Sequence, residues 1–341
     1  MIFTIIDDSF IRNDSFLDSW TKIWIESKER HFFYIDQNTY DIISNSDWYS
    51  RLSPINKEFF DLQFIESNNF KRSQIQLVIS ESDAEYYTLI EAVEILLKSV
   101  SLILENIEYD AYLLEAVFRL FKDECEKINK HLDEGWLIYE NGGGNNIINV
   151  INQKKRRFVN LDHFTKEPKT YLRTFVIIDS DKKFPSENEV DVEKQPLLDF
   201  ISEFSEYHVT RKREMENYLP DETFEEIPNN EKFKEAIFSL SSIQRDFIDL
   251  EKGLQDKNLD QFEPLSFREL FIDLNVDSKK NIVSVLRKEK LEFKKENGKS
   301  DSFKARFSKL FMEKSVTKEG LRKRDNSNEL ELIIKKINSL L

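Results

Sequence analysis

Carboxylates recur at one kind of position in this chain of 341 residues. LILE (102–105) is an apolar run that ends in Glu105, and Asp110 stands five residues further on. TFVIIDSD (174–181) ends a second apolar run in Asp179 and Asp181. YENGGG (139–144) ends a third in glycines, and RKREMENYLP (211–220) follows a fourth and carries Glu216. A charge at the end of a buried run is costly unless it is paired or coordinated. Residues two apart on an extended chain point to one side, so Asp179 and Asp181 can face one ion. Acids gathered from separate segments raise one another's pKa values, and a divalent cation removes that conflict. The donors are all oxygen: the chain has one cysteine, and its four histidines (His31, His131, His163, His208) show no ligand spacing. Such a set suits Mg²⁺ or Mn²⁺ better than Zn²⁺. Beside a phosphate, ions of this kind serve phosphoryl transfer or phosphodiester hydrolysis. Each feature taken singly is ordinary, because an Asp after a strand commonly caps a helix; the order is what carries weight.

The elements that must position these groups alternate. IQLVI (75–79), VSLILE (100–105), GWLIYE (135–140), TFVII (174–178) and YHVT (207–210) read as short buried strands. Between them, 83–99 reads as a helix with Asp83 as its N-cap, 110–132 as one long helix, 146–157 as a helix, and a further helix lies near Leu197–Phe204. Cys125 falls on the apolar stripe of 110–132 and reads as core rather than nucleophile. Alternation of this kind implies an α/β fold, a parallel sheet covered on both faces. Ligands of such a sheet bind beyond the C-terminal ends of its strands, where the acids fall. Residues 1–73 open with a strand over Ile2–Ile6 and a helix around Phe16–Ser27, and from about 222 the pattern is helical. The expected division is an N-terminal α/β extension or docking region (1–99), a catalytic domain (100–221) and a basic helical region (222–341).

Composition narrows the class. The chain is 40% hydrophobic and 33% charged with seven Gly and seven Pro, which favours a helix-rich globular protein. The net charge of −14 argues against broad non-specific binding to nucleic acid. Residues 279–324, however, hold sixteen Lys or Arg against six acids, while the first hundred hold nine against seventeen. The basic part is a candidate phosphate-facing surface. A lone cysteine excludes a disulfide framework. The acidic start and the lack of any run of eighteen apolar residues predict a soluble, cytoplasmic protein without a membrane span. No G-x-x-x-x-G-K-[ST] occurs, so the chain has no P-loop of its own.

The order Glu, Gly-rich turn, Asp-x-Asp, Glu over residues 100–220 resembles the TOPRIM domain of topoisomerases, primases and overcoming-lysogenization-defect (OLD) nucleases. It looks most like the stand-alone TOPRIM nucleases of bacterial antiphage defence. The resemblance implies a TOPRIM-like parallel sheet flanked by helices, an Mg²⁺- or Mn²⁺-dependent endonuclease acting on DNA or RNA, and an ATPase partner. It maps the first-motif Glu to Glu105, the Asp pair to Asp179 and Asp181, and the downstream acid to Glu216 with Glu214 as competitor. Asp110 corresponds to the acid after the first Glu at a spacing one longer than usual, and Asn106 stands where the family has Gly. It also implies a lysine at the phosphate, for which DSFKARFSKLF (301–311) offers Lys304 and Lys309. Lys212 and Arg213 are candidates for the nucleic-acid backbone. A second copy of the chain is a further partner the reading admits. The rival expectation is a non-catalytic TOPRIM-like interaction subunit of a defence complex.

Overall fold

The computed structural model describes residues 1–12, 14–143, 146–157, 164–187, 194–227, 231–250, 269–274, single positions and pairs between 277 and 295, and 303–341. It is an α/β protein with two parallel sheets flanked by helices. Seven strands occur among the described residues: β1 Ile2–Ile5, β2 Phe32–Phe33, β3 Leu77–Ile79, β4 Val100–Leu104, β5 Leu137–Asn141, β6 Thr174–Ile178 and β7 Glu206–Val209. The larger sheet has the order β5-β4-β6-β7 and is parallel throughout.

Its two central strands, VSLIL and TFVII, are buried along their whole length, which is why they read as unbroken apolar runs. Alternate residues serve opposite faces. Leu102, Leu104, Phe175 and Ile177 pack on one side with the helix Ile107–Leu120 and with Leu310, Leu321, Ile333 and Ile337 from the end of the chain. Ile103, Val176 and Ile178 pack on the other side against the helices Asn146–Lys155 and Gln195–Phe204. The helices beyond 222 thus share one apolar core with the sheet. The register pairs Leu104 with Ile177, so β4 and β6 end almost level and release Glu105 and Asp179 at the same edge.

The N-terminal part forms its own layer. The order β2-β1-β3 places IQLVI beside β1, so the strand read as first of the α/β alternation belongs to the smaller sheet. Trp20, Trp24, Trp48, Phe33 and Phe60 fill its core in edge-on and tilted pairs. The helix of 83–99 starts later than expected, at Leu89–Leu97. Thr88 is the cap, its hydroxyl accepting from the Glu91 amide while Glu91 accepts from the Thr88 amide at 2.8 Å. Asp83 instead closes a local turn onto the Glu85 amide at 2.9 Å. The expected long helix 110–132 is two, Ile107–Leu120 and Glu126–Asp133. The break at 121–125 keeps Phe121 and Cys125 fully buried and in phase, so the apolar period hides it. Among the described residues no helix is long and apolar enough to cross a membrane.

Candidate functional site

Glu105 and Asp181 face a common cation, and the cation is Lys194. This lysine stands at the head of the helix Gln195–Phe204. Its ammonium pairs with the Asp181 carboxylate, donates to the Asp179 carbonyl at 2.9 Å, and lies 4.0 Å from Glu105 Oε2. That Glu105 oxygen is itself buried and accepts no hydrogen bond. Burial disfavours the Lys194 ammonium, but the charge of Glu105, then the bond and charge of Asp181 and the charge of Asp179, outweigh it and raise its pKa above the ordinary lysine value. The chain prepares the position: the Asp181 amide donates to the Arg213 carbonyl at 2.9 Å, and Asp181 takes a left-handed φ of 53° that aspartate tolerates better than most residues.

The other predicted ligands have local duties. The buried Asp179 carboxylate accepts from the Met215 amide at 3.0 Å, tying β6 to the 3₁₀ turn Met215–Tyr218. Asp110, in the first turn of its helix, reaches back to the Asn106 amide at 2.7 Å, with Asn106 as the N-cap. Glu216 is buried in the same 3₁₀ turn and accepts from the Ser308 hydroxyl at 2.9 Å. Glu214 caps that turn. The expected gathering of five carboxylates on one ion is therefore not what the fold brings together: among the described residues, no three Asp, Glu, His or Cys side chains are grouped to hold a metal. Two carboxylates and one backbone carbonyl surround one cationic position. Those oxygens are the hard donors that Mg²⁺ or Mn²⁺ takes, and one buried carboxylate oxygen still has room for a bond.

No protein-family model, no curated protein and no solved structure matches this chain.

Two expectations are corrected by burial. Lys212 is 4% exposed; its ammonium pairs with Asp246 and lies over the Tyr218 ring. Burial, then the neighbouring Arg324 charge, lowers its pKa to about 8. Arg213 also points inward, to Asp249 at 3.3 Å and the Phe247 carbonyl. Neither guanidinium nor ammonium is free to meet a nucleic-acid backbone; both hold the 211–220 segment to 246–249. Lys309 is exposed at the end of the helix Phe303–Lys309, next to the Ser308 that binds Glu216. Lys304 is on the same helix, but its side chain lies outside the described residues, as do Gly144 and most of 279–300. Gly142 is needed for chain approach rather than for a ligand: a Cβ there would sit 2.5 Å from Ile147 Cγ1 and 3.0 Å from the Leu104 carbonyl.

Two groups escaped the sequence reading. Lys194 is one of fifty Lys and Arg, and nothing in VEKQP (192–196) distinguishes it before the fold brings its head to the acids. Glu329 is fully buried and accepts from His208 Nε2 at 2.7 Å, from the Arg211 amide at 2.8 Å and from the Tyr218 hydroxyl. It locks the last helix, Glu329–Leu340, to the end of β7.

Proposed function

We propose that the chain is a metal-dependent nuclease that hydrolyses nucleic-acid phosphodiester bonds, with a TOPRIM-like catalytic sheet and an Mg²⁺ or Mn²⁺ cofactor. The observation that supports it is the acid edge: Glu105, Asp179 and Asp181 leave neighbouring central strands at one level and surround a position already filled by positive charge. In this reading Glu105 and Asp181 hold the ion, with Asp179 backing them. The ion, when bound, supplies a water of lowered pKa and neutralises charge on the phosphate. Lys194 balances the charge of Glu105 and Asp181, the two carboxylates that would hold the ion. Glu216 holds the helix Phe303–Lys309 through Ser308, and in this reading the exposed Lys309 beside it would face a non-bridging oxygen. The biological setting, effector of a bacterial antiphage system gated by an ATPase partner in the cytoplasm, rests on the resemblance of residues 100–220 and on the missing P-loop.

One observation favours the rival, a non-catalytic interaction subunit: Asp110, Asp179 and Glu216 each hold a local structural bond. The test is cleavage of plasmid DNA and total tRNA by the purified chain in Mg²⁺, Mn²⁺ or EDTA, beside the Asp179→Ala/Asp181→Ala variant. Metal-dependent cleavage lost in the variant supports the nuclease. Cleavage that survives both substitutions sinks it, and a functional complex that tolerates Asp179→Asn supports the rival.

A further inference from the structure

A hollow of about 350 Å³ opens between the end of β7 and the last helix, beside the acid edge. Lys182, Arg211 and Lys336 line it, together with Tyr207 and His208. Lys182 follows Asp181 directly in the chain, Arg211 comes two residues after β7, and Lys336 comes from the helix Glu329–Leu340. Among the described residues, no acidic side chain lines the hollow, and none of the three cations pairs with a described carboxylate. Lys336 donates to the Tyr207 carbonyl at 3.2 Å and lies 3.5 Å from His208 Nδ1. Arg211 gives one nitrogen to the Ser327 carbonyl at 3.1 Å and keeps the rest of its five N–H donors. Glu329 sits behind this wall with its oxygens engaged by His208, the Arg211 amide and Tyr218. Its charge orders the wall without occupying the hollow.

Three like charges around one concavity repel one another, and an anion relieves them. The volume lies in the range of small-ligand sites, roughly 300–1,000 Å³. An arginine fork with two ammonium groups matches a phosphate, and a tyrosine at the wall offers a ring face or edge to a base. We infer that this hollow is a phosphate-binding subsite that takes one nucleotide unit, placed so that the neighbouring phosphate of the same strand lies over Glu105 and Asp181. The strand source rests on the proposed nuclease function; a free mononucleotide carries the same chemistry, and the test separates the two.

The test uses the full chain and Lys182→Ala/Arg211→Ala. Alanine keeps the Arg211 amide bond to Glu329 and gives up only the side-chain bond to the Ser327 carbonyl, and an unchanged melting temperature checks that the fold is kept. Binding of a labelled twelve-nucleotide single strand is read by fluorescence anisotropy in EDTA over a salt series, and binding of adenosine monophosphate and inorganic phosphate by calorimetry. The expected result is a loss of at least tenfold in strand affinity, with the salt slope smaller by about 1.4 for two lost phosphate contacts. A loss confined to the mononucleotide and phosphate assigns the hollow to a free nucleotide. Unchanged affinity for all three ligands, or no binding of any of them by the unsubstituted chain, overturns the inference. The nuclease reading fails separately: cleavage kept by Asp179→Ala/Asp181→Ala while Lys182→Ala/Arg211→Ala binds weakly overturns that reading and leaves the subsite standing.

Discussion

The two ends of β6 handle charge in opposite ways. At its C-terminal end, acids gather around a lysine that is about one-fifth exposed, and Asp181 is 46% exposed. At its N-terminal end, where the smaller sheet meets the larger, bases are buried. Arg173 is 3% exposed, Arg30 5%, His31 7% and His131 2%. Among the described residues no carboxylate pairs with these bases, and a helix end takes three of them. Arg173 donates to the Ile95 carbonyl, His31 Nε2 meets the Leu96 carbonyl at 2.8 Å, and Arg30 donates to the Lys98 carbonyl, all at the end of the helix Leu89–Leu97. Arg173 also reaches the Leu340 carbonyl at the end of the last helix. A helix C-terminus presents unpaired carbonyls and partial negative charge, so it takes cations without the cost of burying an anion. The seam is buried, whereas the acid edge is partly open around one lysine held by acids. That contrast separates a buried, basic seam from a partly exposed, acidic edge, which is where the proposed chemistry is placed.

The largest expected effect is at the open edge. Glu105→Gln and Asp181→Asn keep shape and remove charge, and each is expected to lower metal-dependent cleavage by at least about a thousandfold while moving stability by less than about 1 kcal/mol. A large loss of stability instead would make the edge structural and erase the contrast. At the closed seam the order reverses. Glu91, fully buried, accepts from Thr88, from Thr165 at 2.9 and 3.1 Å and from the Tyr171 hydroxyl at 2.5 Å, joining the helix Leu89–Leu97 to the foot of β6. Glu91→Ala is expected to cost about 3 kcal/mol in urea unfolding, because it strands several buried donors. A cost under about 0.5 kcal/mol would contradict that role.

Acid sharpens the same comparison. Burial lowers the His131 pKa from 6.5 to about 4, and burial also pulls His31 well below its ordinary value, with nearby cations adding to it. Between those values the unfolded chain binds protons that the folded chain refuses, so stability rises with pH there. The contribution is complete above pH 6.5 and is lost as pH falls toward 4. Unfolding followed from pH 7 to pH 4.5 is expected to show this loss, and His131→Gln to flatten part of it; an unchanged slope in the variant would remove His131 from the account. The smallest effect belongs to Lys194. With its ammonium gone, the edge is expected to take Mn²⁺ about tenfold more tightly. Weaker Mn²⁺ binding would make Lys194 a support for the ion rather than its competitor.

Much of this frame was readable before the fold. β4 and β6 announce themselves because strands buried on both faces are apolar at every position, and their polar ends mark the edge. Phe121 and Cys125 stay in helical phase across a real break, so periodicity joined two helices. IQLVI has the composition of any buried strand, and its partner β1 lies more than seventy residues away, beyond the reach of local pattern. Lys212 and Arg213 sit in a basic run that reads as a contact for a nucleic-acid backbone; Asp246 and Asp249, more than thirty residues on, draw them inward. Lys194 became visible only when the chain returned its helix head to the acids.

The most direct measurement of the central claim is a calorimetric Mn²⁺ titration of the chain beside Glu105→Gln and Asp181→Asn. The account predicts saturable binding in the unsubstituted chain, lost in both variants, with a melting temperature that rises with Mn²⁺ only when both carboxylates are present. Equal binding in all three proteins would contradict it.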